Sequence, residues 1–579
     1  MASRFVVEHL NHLGIVAEVC REIGVAEWLD QQDPTKRQRV SVGTATVALV
    51  LNGLGFSNRR LYLVPQFFAD KPVEHLLGAG IVAEDLNDDC LGRTLDWLYA
   101  HDVTRLFAGL ALRARRAFGV EVGRLHADTT SFSVHGQYDP YAQDVPEALE
   151  TPQMLKAAAQ ADEGEEGAPS VIEVTYGYSR DHREDLKQWM LALVTSGEGI
   201  PQFLQPLDGN ASDKRVLLEA VQALTQQLRE SGEPAGVYVA DSGLYSAQNM
   251  KELSAAEVRW ISRVPETSTA AQAMVQERLE TSEMVDSWQR SADGTRHWWS
   301  REQLELPEVP ERWIVVRTRE GEERARATVQ RQAEREQEAW EKRLWHLGNQ
   351  TFACQPDAEA ALAKTCQRLP PWFVVQSRVS SRPTYPTRGR PRKDAAASGR
   401  LVWQIQATLT RDPAALEREA LRRAAYIVGT NLLDVEAWPD EAVIALYREQ
   451  SVVERGFAFL KDPLFLASSV FVKKPERIMA LAFVMTLCLL IYKLAEARVR
   501  QRLAETGQTV PDQARKPTAR PTLRWLFQYF EGIDLLHIAQ PDRSRVTEVL
   551  RLDKVHRLVL QLLGPAYENS YSALQETAE

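Results

Sequence analysis

Cysteine is scarce and scattered in this chain: Cys20, Cys90, Cys354, Cys366 and Cys488 are the five, and no two form a Cys-x-x-Cys pair. That excludes a zinc ribbon and a disulfide framework and points to a reducing cytoplasm. An excess of positive charge is also lacking, with 69 Lys and Arg against 79 Asp and Glu and a net charge of −10. The chain therefore does not coat nucleic acid through bulk charge, and any such contact must be local. The longest uncharged run, Ile478 to Tyr492, has 15 residues, short of the roughly 18 to 20 that a membrane-spanning helix needs; it reads as a buried core helix. The opening stretch "MASRFVVEHLNHLGIVAEV" carries acids and His within its apolar pattern, unlike a signal peptide. There is no internal repeat and no long low-complexity tract, and the acidic "ADEGEEGAP" near 161 to 169 reads as a solvated loop.

A chain of 579 residues is too long for one ordinary core and implies about three or four units. Residues 1–120 show helical periodicity and end in a helix carrying Arg105, Arg113, Arg115 and Arg116, which reads as a helical domain with a basic edge. From 121 to 265 short β-prone runs take over: "GRLHADTTSFSV", "SVIEVTYGYS" and "KQWMLALVTS" read as a three-stranded meander. A helix and the buried strand "AGVYVADSGLYS" follow, and "VRWISRV" closes the series. Residues 266–422 read as a β-rich insertion around a charged helix near 320 to 346, with a basic linker from 377 to 393. The strand pattern "AAYIVGTNLL" and two helices over 423–500 resume the α/β core, and 501–579 reads as helical. The fold expected is thus an α/β core split by a β-rich insertion and flanked by all-helical N- and C-terminal regions.

Three carboxylates stand out. On the strand "HADTTSFSV", His126, Asp128 and Thr130 share a face by the two-residue period, and a charge in mid-strand needs a partner if it is buried; an edge-strand Asp facing water is the alternative. Asp241 ends a buried strand, where ligands and metals collect in open α/β sheets, and it lies too far ahead of the helix near Ser246 to cap it. In "YREQSVVERGFAFLKDP", residues 447–463 read as one helix. On it Tyr447, Gln450, Glu454 and Lys461 form a polar stripe beside the apolar stripe Leu446, Val453, Phe457 and Leu460. Carboxylates from two strands and a helix are what a two-metal phosphodiester site requires, as hard oxygen ligands for Mg²⁺ or Mn²⁺.

The spacing Tyr447, Gln450, Glu454, Lys461 resembles the YREK signature of bacterial insertion-sequence DDE transposases, enzymes with an RNase H-like catalytic core. "HADTTSF", "YGYSRDHREDLKQW", "LDGNASDK", "VADSGLYS" and "VERGFAFLKDP" resemble, in order, blocks of one branch of that group. The resemblance implies that Asp128, Asp241 and Glu454 are the catalytic and metal-binding triad, two ions being held per site. It implies a β-rich insertion between Asp241 and Glu454, and cut-and-paste transposition of double-stranded DNA with terminal inverted repeats. It further implies end binding by the flanking domains, a homodimer in the DNA-bound synaptic complex, and a bacterial cytoplasmic, nucleoid-associated location without membrane. At one position the chain departs from the signature: Gln450 stands where the group has Arg. Its amide can hydrogen-bond DNA but brings no charge, which leaves Lys461 as the cation for the DNA end.

The remaining DNA-contacting candidates each have a structural alternative. Arg183 and Lys187 lie in a turn between strands and could serve that turn alone. Trp298 and Trp299 either pack in the insertion core or, as in related transposases, stack on an extruded base. "TRGRPRK" at 387–393 resembles an AT-hook, with Arg388 and Arg390 along a narrow minor groove; a solvated hinge is the other reading. His126 reads as a core histidine rather than a metal ligand. Two other functions remain open: a metal-dependent nuclease that cuts without joining, and a DNA-binding regulator of transposition with a lapsed site.

Overall fold

A computed structural model of the chain describes residues 4–33, 39–56, 63–134, 170–178, 183–280, 289–290, 297–305, 309–384, 400–462, 474–539, 545–572 and 574–576. These fold into two compact units, Met1–Ser262 with Ala445–Glu579, and Arg263–Ile444.

The first unit begins with strand β1 (Arg4–His9) and helices α1 (Leu13–Ile23), α2 (Val25–Gln32) and α3 (Val42–Leu54). Gly24 separates α1 from α2 in the left-handed region, φ 72°, and its N–H caps the end of α1. Where α2 meets α3 the backbones touch: a Cβ built on Gly43 would lie 2.2 Å from the Ala26 carbonyl oxygen. Because the obstacle is main chain, Gly43→Ala should lower stability by about 2–3 kcal/mol, read as a drop in the urea midpoint. An unchanged midpoint would show that the two helices can part without loss.

Helices α4 (Asp88–Ala100) and α5 (Val103–Phe118) complete the N-terminal bundle. They pack on the long helix Pro475–Thr506, as does α3. That helix is long and apolar enough to cross a membrane by length and composition, but 94% of its most apolar window is buried inside the unit. It is the core helix expected from the uncharged run.

The N- and C-terminal regions are not all-helical. After a two-residue hairpin, β13 (Val510–Pro511) and β14 (Pro517–Thr518), the chain forms β15 (Asp534–Ala539), β16 (Arg545–Leu550) and β17 (Leu574–Glu576). These join β1 in an antiparallel sheet of order β1-β15-β16-β17. "DLLHIA" and "RVTEVL" are too short to distinguish a strand from a helix turn by periodicity. Pairing with a strand more than 500 residues away decides the outcome.

The central sheet of this unit has the order β4-β3-β2-β5-β6. Its strands are β2 (Arg124–Val134), β3 (Lys187–Ser196), β4 (Pro201–Leu207), β5 (Val237–Ala240) and β6 (Arg259–Arg263). β2, β3 and β4 form an antiparallel meander, while β5 and β6 run parallel to β2. The meander differs from expectation: among the described residues "SVIEVTYGYS" makes only one bridge, Thr175 to Gln188, and the third strand is "PQFLQPL". Its two prolines hide it from pattern reading, yet an edge strand tolerates them. Helix Asp213–Glu230 covers one face, where Thr225 Oγ1 meets the Tyr238 hydroxyl at 2.9 Å. Helices from the C-terminal part cover the other.

The second unit has its own cores, one built from Ala333, Trp340, Leu344, Trp372, Phe373, Leu409 and Ala415. Strands β7 (Gln289–Arg290), β8 (His297–Glu305), β9 (Pro310–Thr318) and β12 (Tyr426–Thr430) pair antiparallel in the order β12-β9-β8-β7. The charged helix Arg319–Gly348 packs against Pro413–Ala424. Strands β10 (Phe373–Thr384) and β11 (Arg400–Arg411) form a long hairpin. The basic linker expected from 377 therefore does not begin there: Arg378 and Arg382 are paired in β10 with Gln406 and Val402.

Candidate active site

Strand register brings the two aspartates together. β2 and β5 run parallel with Ala127 opposite Ala240, and Asp128 and Asp241 are the next residue on each. They follow a matched pair by the same step, so both lie on the face that carries His126 and Val239. Asp128 is buried, 6% exposed, and its Oδ1 accepts the Thr129 N–H at 2.7 Å. Asp241 is half-buried; its Oδ1 accepts the Gly243 N–H at 2.7 Å, and its carbonyl accepts from Ser262 Oγ at 2.7 Å. The next helix, Ala247–Ala255, is capped by Ser246 through the Asn249 N–H, so Asp241 is indeed no cap.

Glu454 stands in the first turn of helix Ser451–Leu460, where the helix dipole favours a carboxylate. The side chain is exposed and makes no hydrogen bond or ion pair among the described residues. Val453, Phe457 and Leu460 are buried in the same core as Phe132, Trp189 and Leu191, which share the Asp128 face. The helix starts over the turn between β3 and β4, with Val452 2.6 Å from where a Cβ on Gly199 would stand. At its far end Lys461 Nζ lies 5.8 Å from the Phe132 ring centre. Asp128 sits between those points along β2, so the packing stripe holds Glu454 on the Asp128 side of the sheet. Among the described residues no three His, Cys, Asp or Glu converge closely enough to hold a metal. The carboxylates share a face without closing round a common point.

Residues 447–463 do not form one helix. Asp440–Arg448 and Ser451–Leu460 are separate, joined by a tight turn in which the Gln450 N–H bonds to Tyr447 O at 3.2 Å and the Val453 N–H to Gln450 O at 3.1 Å. The 100° count therefore breaks at this turn, and Tyr447 does not continue the Glu454–Lys461 stripe, while Gln450 adjoins the second helix with helical backbone angles. Tyr447 and Lys461 are half-buried, and Gln450 is buried at 8% exposure.

His126 is fully buried with neither ring nitrogen bonded among the described residues, and burial, then Arg124, pushes its pKa down to about 4. It is a neutral core histidine beside Asp128. Arg183 grips Asp185 with two hydrogen bonds, at 2.8 and 2.9 Å, and Lys187 opens β3 opposite Val134. Trp298 lies in β8, but its side chain is outside the described residues, while Trp299 is buried. Arg388 and Arg390 also fall outside them.

The basic edge expected near 105–116 is partly consumed. Arg115 is buried against Glu233 and Gln202, at 2.9 and 3.1 Å, and Arg113 bonds to Ile23 O at 2.9 Å. Two residues passed over in the sequence are exposed next to β3: Tyr176, 59% exposed, and Tyr178, 82%. The alternation in "VIEVTYGY" was the available signal.

Residues 127–491 match a family described as transposase DDE domain, and residues 5–112 match a domain of unknown function (DUF4277). No curated protein matches the chain. Among solved structures the chain is similar to a piggyBac transposase synaptic complex with hairpin DNA, determined by cryo-electron microscopy. The identity is 7%, over 90% of this chain and 79% of that one, with a TM-score of 0.34; so slight a likeness carries no argument.

Proposed function

We propose that this chain, which belongs to the family of transposases with a DDE domain, is a cut-and-paste DNA transposase whose triad is Asp128, Asp241 and Glu454. The family implies an enzyme that cuts and rejoins phosphodiester bonds and generally uses divalent metal ions. The observation that carries the finer reading is the shared face: Asp128 and Asp241 at the end of one parallel ladder, with Glu454 on a helix packed over the same side. A meander followed by two parallel strands supports an RNase H-like core.

The donors suit a hard cation, since carboxylate oxygens are what Mg²⁺ or Mn²⁺ prefers, and the adjacent imidazole of His126 is buried and neutral. Asp128, Asp241 and Glu454 would hold two such ions, which when bound supply Lewis-acid activation of the attacking oxygen and stabilisation of the leaving one. The chain's own part is to fix the two aspartates by strand pairing, keep water from beneath them with the packed His126 layer, and bring Glu454 in on a helix end. Hydrolysis at the element end frees a 3′-hydroxyl, which then attacks a target phosphorus, forming a new phosphodiester as the target's own P–O3′ bond breaks and its 3′-hydroxyl leaves. No covalent link to the protein is required. Lys461 is a cation on this face that would meet a DNA phosphate near Glu454. Pairing of two protomers on inverted-repeat ends, in the bacterial cytoplasm at the nucleoid, completes the reading.

The test is cleavage. Purified protein with Mg²⁺ should cut DNA carrying the short inverted repeats that flank the coding region, at the repeat boundary, and chelation should stop it. Cutting that ignores the repeats would favour a plain nuclease. Gln450 offers a second check: an Arg there must extend out of the buried turn to reach a phosphate. Gln450→Arg should keep or raise DNA-end binding in a mobility-shift assay, and complete loss would show that the amide is needed where it packs.

A further inference from the structure

The sheet face that carries Asp128 continues past the triad. In the meander register Asp128 pairs with Leu193, Thr130 with Leu191, Phe132 with Trp189 and Val134 with Lys187, and each pair shares that face. Beyond β3 lies the segment 170–178, tied at Thr175 to Gln188. Gln188 belongs to the opposite face, so the residues alternating with Thr175 belong to the Asp128 face. Burial agrees: Ile172 and Val174 are sunk in the core with Phe132 and Trp189. Tyr176 and Tyr178 continue the same period but stand in solvent, 59% and 82% exposed.

The backbone beneath the two rings is fixed. Gln188 Nε2 donates to Tyr178 O at 3.2 Å and to Gly209 O at 2.7 Å, and Gly177 lies so close to Gly209 that a Cβ there would come within 2.1 Å of its carbonyl oxygen. Large aromatic rings on a rigid support and exposed to water lose little entropy on binding a flat partner. Lys461, over the Phe132 ring, lies on the same face between the rings and Asp128, and Lys187, opposite Val134, lies level with Tyr176. A carboxylate site, two lysines and two exposed tyrosines thus share one face, spread along the strand direction from β2 to the segment beyond β3.

We propose that Tyr176 and Tyr178 form a stacking platform for the bases of an unpaired DNA strand that runs from the Asp128 site along β2, with Lys461 and Lys187 meeting its phosphates. From Asp128 to Ser133, the β2 residue level with Thr175, is five steps along the strand, and Tyr176 and Tyr178 lie one and three residues further on, so the rings are about 20 to 27 Å along the strand direction from Asp128. At a stacked spacing of about 3.4 Å this places the platform about six to eight nucleotides from the scissile phosphate. Stacking on aromatic side chains tolerates any base sequence, as a strand of variable target or flanking sequence requires. The proposal rests on the reading of Asp128 as the cleavage site.

The probe is a single-stranded oligonucleotide of about 20 thymidines in which one base is 5-iodouracil, a group that crosslinks to aromatic rings stacked on it. Irradiation with the full-length protein should give an adduct on Tyr176 or Tyr178. The double variant Tyr176→Ala/Tyr178→Ala should bind the strand about tenfold more weakly while its affinity for blunt duplex of the same length stays within about twofold. Tyr176→Phe/Tyr178→Phe, which keeps the rings, should bind as the parent does. Equal affinity of the Ala variant for the single strand, or adducts only elsewhere, would overturn the platform. If Asp128→Asn left cleavage intact while the platform result held, the site assignment would fail and the binding surface would stand.

Discussion

Asp128→Asn, Asp241→Asn and Glu454→Gln should each lower metal-dependent DNA cleavage by about a thousandfold or more. The reason lies in donor charge. Each change keeps the shape and one acceptor oxygen. The new amide in place of Asp128 can still take the Thr129 N–H, and the one in place of Asp241 the Gly243 N–H, so melting temperatures should barely move. What is lost is the negative charge that a hard cation needs. Cleavage of a labelled repeat-ended duplex by the four proteins, at matched concentration and Mg²⁺, checks this. Full activity in any one variant would remove that residue from the triad. Glu454 is the sharpest case: it is exposed and without a bonding partner among the described residues, so its replacement should leave stability untouched while activity collapses.

The second large effect is on acid stability and centres on His12. This ring is buried, stacks on Phe527 at 4.2 Å, and one nitrogen, Nε2, bonds to Leu54 O at 2.9 Å while Nδ1 has no partner among the described residues. Burial pushes its pKa from 6.5 down to about 4, helped slightly by Lys71 and opposed by the Leu54 bond. The folded protein therefore holds the ring neutral where the unfolded chain protonates it. Its contribution is whole above pH 6.5, falls by about 1.4 kcal/mol per pH unit as pH drops, and levels off near pH 4 after a loss of about 3 kcal/mol. Urea unfolding between pH 7 and 4 should show this slope in the parent. In His12→Phe, which keeps the stack but cannot titrate, the slope should be smaller by one proton. Identical slopes would mean that the ring is not held neutral.

Local chemistry made much of the central sheet legible. "HADTTSFSV" and "VYVA" are strands because their residues suit burial on both faces, and Asp128 and Asp241 stand out there as charges such strands do not otherwise carry. The apolar stripe Val453, Phe457, Leu460 was readable for the same reason, as helical period and packing agree. The misread features are those settled by distant partners. β4 is a strand because Leu204 pairs with Leu193 across the meander, which outweighs its prolines. β15 and β16 are strands because β1 supplies an edge from the far end of the chain. The break before Gln450 has no local signal: no Gly or Pro marks it. Arg115 looked like a surface cation on a basic helix, but its burial against Glu233 depends on a residue more than 100 positions away.

The measurement that bears most directly on the account is joining. Full-length protein, a duplex ending in the flanking inverted repeat and a supercoiled target plasmid should be incubated with Mg²⁺, and the products sequenced across any new junction. The account requires the 3′ end of the repeat to be covalently joined to plasmid DNA at many sites, with no joined product from Asp128→Asn. Repeat ends that are cut yet never joined to the plasmid would contradict it and leave a nuclease.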